Sequence, residues 1–271
     1  MTRRLPELVR SLWDRYFRHH VGNSAAALTY YMIFAFFPFL LFLSSLLGVL
    51  ELPQVPVAQL SRLIPQDILE LIGSFLTHVQ EVSSTPLLIF GLVFSVYFPI
   101  RAVSSLLEFI DLAYDVPTKR GFIHRGILVV IVAIGLVVAV AVSIFILVVG
   151  RRLLVWLSAF LPITLAGIEL WNGLRFLILG AVVLLLLTLL YLVGPGCVVR
   201  LREALPGAVG ALCCWLVYTV GFSFYVEHMG RYSVVYGSIG AIIVLLIWLY
   251  ATSVTVIMGA ELNAALRMRK R

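Results

Sequence analysis

"GILVVIVAIGLVVAVAVSIFILVVG", residues 126–150, runs for 25 residues without one charged side chain. The hydrocarbon core of a bilayer, about 30 Å thick, asks about 20 apolar residues of a helix that crosses it. The rest of the chain keeps to the same rule. Of its 271 residues 62% are hydrophobic and 12% charged, with a mean hydropathy of +1.09. A soluble domain carries about 25% charged residues. The solvent this composition fits is lipid, where backbone polar groups must be satisfied within helices or closed barrels. The expected fold class is therefore all-α, a polytopic membrane protein forming one integral-membrane domain over 1–271.

Six apolar runs predict six transmembrane helices, near 24–50, 86–112, 124–149, 174–193, 205–226 and 238–262. The third and fourth are oily all round and are expected to be the most lipid-exposed. The first is far longer than the roughly 7–15 residues of a signal h-region and no A-x-A site closes it, so a cleaved leader is not expected. In the fifth, Pro206 suits a first helical turn, where its missing N–H is unpaired anyway. Gly207, Ala211 and Cys214 fall on one small-residue face suited to close helix approach.

Charge sets the expected orientation. Fourteen of the 20 Lys and Arg fall on the side of the two termini and five on the other, with Arg101 inside a span. The positive-inside rule puts both termini in the cytoplasm. Two non-spanning pieces have helical periodicity. Residues 4–20 form an amphipathic helix, with Leu5, Leu8, Val9, Leu12, Trp13, Tyr16 and Phe17 on one face. Glu7, Arg10, Asp14, Arg15 and Arg18 take the other. This suits a helix on the cytoplasmic lipid surface with its arginines toward anionic headgroups, or equally one packed on the bundle. Residues 51–85 predict a short extracytoplasmic helical cap broken at Pro65, with no soluble domain beyond it.

The formal charge of +7 does not call for nucleic acid in such a chain. Cys197, Cys213 and Cys214 have no zinc-like spacing and read as packing residues. The five histidines form no H-x-x-x-H pair. No metal and no cofactor is expected.

"YFPIRAVSSLLEFIDLAYDV", residues 97–116, carries the chemistry. Ile100, Val103, Leu107, Ile110 and Tyr114 share one helix face, and Arg101, Ser104, Ser105, Glu108, Asp111 and Asp115 the opposite one. Counting 20 residues from Leu87 leaves Arg101 on the order of 7 Å inside the cytoplasmic boundary. The stripe is expected to face the bundle interior, a water-filled cleft or the cytoplasm. Snorkelling by Arg101 and a charged pathway mouth are both compatible with it. Tyr30 and Tyr31 on the first span and Glu261 and Asn263 on the sixth come to similar depth. Arg101 is expected to pair with Glu108 or Glu261. Pro38 and Pro99 should kink the first and second spans.

The stretches "AAALTYYMIFAFFPFLL", "PIRAVSSLLEFIDLAYDV", "LPGAVGAL" and "YGSIGAIIVLLIWLYATSVTVIMGAELNAAL" resemble the YihY/BrkB family of bacterial inner-membrane proteins, over about residues 15–266. The resemblance implies six helices and cytoplasmic termini. Members have carried the label ribonuclease BN, widely regarded as a misassignment. Some are linked to virulence or serum resistance, and some relatives to export of lipid A precursors or phospholipids. It implies no catalytic residues.

Three functions compete. A transporter or flippase of an amphipathic lipid or envelope-related solute would use Arg101 against an anionic group, with Glu108, Asp111 and Glu261 as its partners or as ligands of a coupling cation. No G-x-x-x-x-G-K-[ST] motif is present to supply ATP-driven energy. An envelope assembly or scaffold protein would need packing faces without a polar interior. A ribonuclease or hydrolase is disfavoured, since the acidic pair Glu108 and Asp111, at helical spacing, lies against the bilayer. Membrane lipids and their anionic headgroups at the cytoplasmic face are the expected partners, and a homo-oligomer fits each reading.

Overall fold

The computed structural model describes residues 4–49, 85–116, 123, 125–136, 138–139, 142–143, 165–228 and 232–269. All regular structure among the described residues is helical. The helices are α1 (Arg4–Arg18), α2 (Val21–Val49), α3 (Thr85–Ala113), α4 (Arg125–Leu136), α5 (Leu165–Val193), α6 (Leu201–His228) and α7 (Tyr232–Met268). Five of them, α2, α3, α5, α6 and α7, are long and apolar enough to cross a bilayer. The third expected span is represented by α4, a shorter apolar helix, and its remainder lies outside the described residues. The expected cap over 51–85 lies outside them as well, apart from the first residue of α3.

The spans that need not fit anything but lipid are longer than the bilayer requires. The 29 residues of α3 extend about 43 Å at 1.5 Å per residue. That leaves roughly 13 Å beyond a 30 Å core, enough to carry the polar end of the helix out of the hydrocarbon. Pro38 and Pro99 lie inside α2 and α3, and both helices continue through them.

Packing concentrates at one end of the bundle. Ile110, Ala113 and Tyr114 at the end of α3 pack with Tyr191 of α5, Ala204 and Ala208 of α6, and Ala260 and Ala264 of α7. Beside them Val21 and Ala25 at the start of α2 meet Ile257. On the far side of α3, Val103 and Leu107 meet Leu128 and Val129 of α4. The first α1 turn lies at the same end as the last turn of α7, because Arg269 bonds Glu7 at 3.0 Å. Only 6% of the apolar window of α6 and 11% of that of α5 is buried, so both present most of their surface to lipid. α6, more than the oilier α5, is the least covered of the described spans.

The helix ends explain why the polar groups gather there. α3 stops in a two-bond cap, Val116 N–H to Asp111 O at 3.1 Å and Asp115 N–H to Leu112 O at 3.0 Å. Asp115 takes the left-handed conformation (φ 53°) that such a cap requires and that glycine usually fills. The elbow between α1 and α2 turns on His20, also left-handed (φ 50°). α6 begins at Leu201, earlier than the sequence suggests, with the Arg200 N–H donating to Glu203 Oε2 at 3.3 Å. Pro206 therefore sits in the second turn and removes a bond the helix would otherwise make.

Candidate functional site: a closed charge cluster and an open arginine

The closed cluster is built on Glu261, about two turns before the end of α7. Its side chain is 1% exposed, and it is held by Arg15 of α1 and by His19 just past the end of that helix. Arg15 Nη1 donates to Glu261 Oε2 at 2.8 Å and to the Ala113 carbonyl at 3.1 Å. Arg15 Nη2 reaches Met268 Sδ at 2.9 Å. His19 Nδ1 stands 2.5 Å from Glu261 Oε1, while its Nε2 is 3.8 Å from the half-exposed Asp115. Arg15 and His19 can share one carboxylate because residues four apart lie on one helix face. Two charges removed from water together are tolerated when their geometry is good; either one alone would be a large liability.

This arrangement corrects two expectations. Arg15 does not point to headgroups but inward, and α1 packs through Arg15 and His19. The apolar face expected for α1 divides as a result: Tyr16 packs beside the core, while Val9, Trp13 and Phe17 are 64%, 66% and 56% exposed. Nor does Glu261 pair with Arg101.

The neighbouring polar residues are each tied to backbone. Asp111 Oδ1 accepts from the Gly196 N–H at 2.6 Å, fixing the turn between α5 and α6 against α3. Asn263 uses both ends of its amide around Pro206: its Oδ1 accepts from Gly207 N–H at 2.6 Å, and its Nδ2 donates to Ala204 O at 2.9 Å. The amide supplies an acceptor and a donor where the proline interrupts the α6 ladder. A Cβ at Gly207 would run into the Gly259 carbonyl, and one at Gly259 into the Tyr191 hydroxyl. That hydroxyl donates to Val256 O at 2.7 Å. Gly207 and Ala211 form the close face expected of α6, but Cys214 is exposed and does not join them. Just past α3, burial pushes the Tyr114 phenol above its ordinary range and keeps it neutral.

The stripe on α3 therefore serves three different ends. Asp111 and Ser105 are buried; Glu108 is exposed and bonds Arg125 of α4 at 2.9 Å. A pair this open is worth about 1 kcal/mol or less and mainly sets where α4 begins. Arg101 is also exposed, and neither Glu108 nor Glu261 bonds it. Its guanidinium lies 5.7 Å from the centre of the Tyr31 ring, within cation–π range. Tyr31 in turn touches Tyr30, ring centres 5.5 Å apart. Of the six residues singled out on the sequence, Arg101, Tyr30 and Tyr31 come together; Glu108, Asp111 and Glu261 belong to separate contacts. Arg15 and His19 were missed as site residues. The signal for them was a basic pair four residues apart, with an acid near the end of the last apolar span.

Buried ion pairs at one end, long apolar helices with lipid-facing surfaces and no strand among the described residues define a multi-span helical membrane protein. The chain belongs to the BrkB family: the family model described as virulence factor BrkB matches residues 12–271. It is 30% identical over 264 residues to the ribonuclease-like protein YfkH of Bacillus subtilis, covering 97% of this chain and 96% of that one. It is 29% identical to a UPF0761 membrane protein of Chromohalobacter salexigens, covering 97% of this chain but 64% of the relative. A shorter stretch of 77 residues is 40% identical to a UPF0761 membrane protein of Aliivibrio salmonicida, covering 28% of this chain and 25% of the relative. No solved structure matches the chain.

Proposed function

We propose that this protein is a transporter or flippase of the bacterial inner membrane, moving an anionic amphiphile, a lipid or another envelope-related solute, along the α2–α3 surface. The observation that carries this reading is Arg101. It is exposed within a span, and its nearest described partner is Tyr31, through the ring and the hydroxyl, rather than a carboxylate. An arginine at the bilayer centre costs about 2.5–3.5 kcal/mol on insertion scales, an upper bound for Arg101, which lies nearer the cytoplasmic boundary. A cation–π contact returns about 0.5–2 kcal/mol. The balance favours a guanidinium that meets an anion in use. With both termini in the cytoplasm, Arg10 and Arg18 on α1 face the same compartment, and the exposed Val9, Trp13 and Phe17 enter the lipid interface beside them. Such a helix gathers anionic headgroups at the inner surface.

The test is reconstitution into liposomes with fluorescent phospholipids, following their movement between leaflets for wild type and Arg101→Ala. Movement in wild type that is lost in a folded Arg101→Ala variant is the expected result. No movement above empty liposomes, with or without an ion gradient, overturns the lipid-transport reading. A second reading, an envelope assembly or scaffold protein, is favoured by the saturation of Glu261 and Asp111, whose bonds close the polar end of the bundle. It predicts no lipid movement and unchanged folding of the variant.

A further inference from the structure

Arg101 stands at one end of a continuous file of aromatic rings. From Tyr31 the contacts run to Tyr30 (5.5 Å) and Phe34 (4.5 Å) on α2, then cross to Phe98 (5.5 Å) on α3. They continue to Phe94 (5.7 Å) and Phe90 (4.4 Å). The file is not core. Tyr30, Phe34 and Phe90 are 50%, 46% and 50% exposed, and Tyr97, which flanks the Arg101 end, is 50% exposed. Phe90 and Arg101 are eleven helical steps apart, about 16 Å, roughly half the hydrocarbon thickness and so the depth of one leaflet.

We propose that this file is a binding track for one lipid with an anionic head and an acyl chain. The head sits on the Arg101 guanidinium between Tyr31 and Tyr97, and the chain lies along Phe34, Phe98 and Phe94 toward Phe90. The charge selects the occupant: among the described residues no carboxylate bonds Arg101, whose polar neighbours are the Tyr31 hydroxyl and a more distant Glu108 already paired with Arg125, so only an anionic head gives it a direct charge partner. The depth selects an amphiphile over a free anion, because an inorganic ion would have to enter hydrocarbon to reach the site, whereas a lipid head arrives with its own chain already dissolved there. The rings add no hydrophobic gain over lipid tails, which are equally apolar. They offer rigid faces that hold a chain in one orientation. A bilayer boundary about 7 Å beyond Arg101 sets the head below its own leaflet surface, and the chain then passes the midplane, an intermediate position for a lipid changing leaflets.

This assignment rests on Arg101 as the anion contact and adds to it the pose. The experiment photolyses the full-length protein in phosphatidylethanolamine vesicles containing phosphatidylglycerol with a mid-chain diazirine, or the matching phosphatidylcholine. Adducts are mapped by mass spectrometry, and lipid movement is followed in the same preparation. Phosphatidylglycerol adducts on residues 30–37 and 90–98, about tenfold above phosphatidylcholine and lost in Arg101→Ala, are expected. Arg101→Lys, which keeps the charge, should retain most of them. Equal labelling by the two lipids overturns the track, since contact is then only that of bulk lipid. Absence of adducts on these residues overturns it too, and points to a second copy covering the surface. Charge-selective adducts without lipid movement leave the track standing and overturn the transport reading. Movement with unselective adducts does the reverse.

Discussion

At the scale of single residues, Glu261 is the point on which most depends. Its two oxygens are shared between Arg15 and His19, and it is nearly without solvent contact. Replacing it by leucine leaves a buried guanidinium with only the Ala113 carbonyl and Met268 sulfur to hold it. Removing one partner of such a pair costs about 3–5 kcal/mol, whereas replacing both by apolar residues is often neutral or stabilising. Glu261→Leu should therefore lower thermal stability in detergent sharply. Arg15→Met combined with Glu261→Leu should return it to within about 1 kcal/mol of wild type. A single substitution that moves the melting point no more than the pair does would show that the cluster is solvated in the native protein. The sequence located Glu261 at a buried polar position but assigned it the wrong arginine. Depth along two helices was readable from counting; that Arg15 turns inward depends on the α1–α2 elbow at His20, whose left-handed backbone no pattern in the sequence announces.

At the scale of elements, the seam between α6 and α7 is fixed by glycine and by one amide. Gly207 and Gly259 bring backbones together where there is no room for a methyl group. The Asn263 side chain then bonds the backbone around Pro206. Gly207→Ala should destabilise by about 1–3 kcal/mol, because the obstacle is backbone and cannot rotate away. Gly221, on the same helix, faces open space, so Gly221→Ala should gain up to about 1 kcal/mol from helix propensity alone. Opposite signs for the two substitutions, read as melting temperatures of the purified protein, are the expected outcome; equal signs would mean the seam is looser than described. The small-residue face of α6 was legible from the spacing of Gly207 and Ala211. Its limit was not: Cys214 continues the pattern in sequence yet lies outside the contact, because beyond Ala211 the seam is carried by Trp215 and Tyr218, which bond Thr252 and the Ile247 carbonyl. A different cause displaced Pro206 from the first turn to the second. The helix gains Leu201–Leu205 from its cap at Arg200 and Glu203, a local contact that hydropathy does not register.

At the scale of the whole molecule, hydropathy could give the rough extent of the five long oily helices among the described residues, since each run answers first to the bilayer. It could not give their neighbours, because lipid-facing and helix-facing apolar side chains have the same composition. What does tie the chain ends together is charge. Glu7 and Arg269 bond across the two ends of the sequence, and Arg15 and Glu261 bond just inside them, so α1 and the end of α7 share one side of the bundle. The positive-inside rule then assigns that side to the cytoplasm, as 14 of the 20 Lys and Arg fall there by sequence position. Arg10 and Arg202 are exposed at this end on α1 and α6 and can report on it. Arg10→Cys and Arg202→Cys should be introduced separately, with Cys197, Cys213 and Cys214 replaced by alanine. Each should then react with a membrane-impermeant maleimide in inside-out vesicles and stay unlabelled in intact cells. Labelling of either position from outside would reverse the orientation. Arg101 would then approach the opposite leaflet, and the lipid held on the aromatic file would have to be drawn from the outer surface.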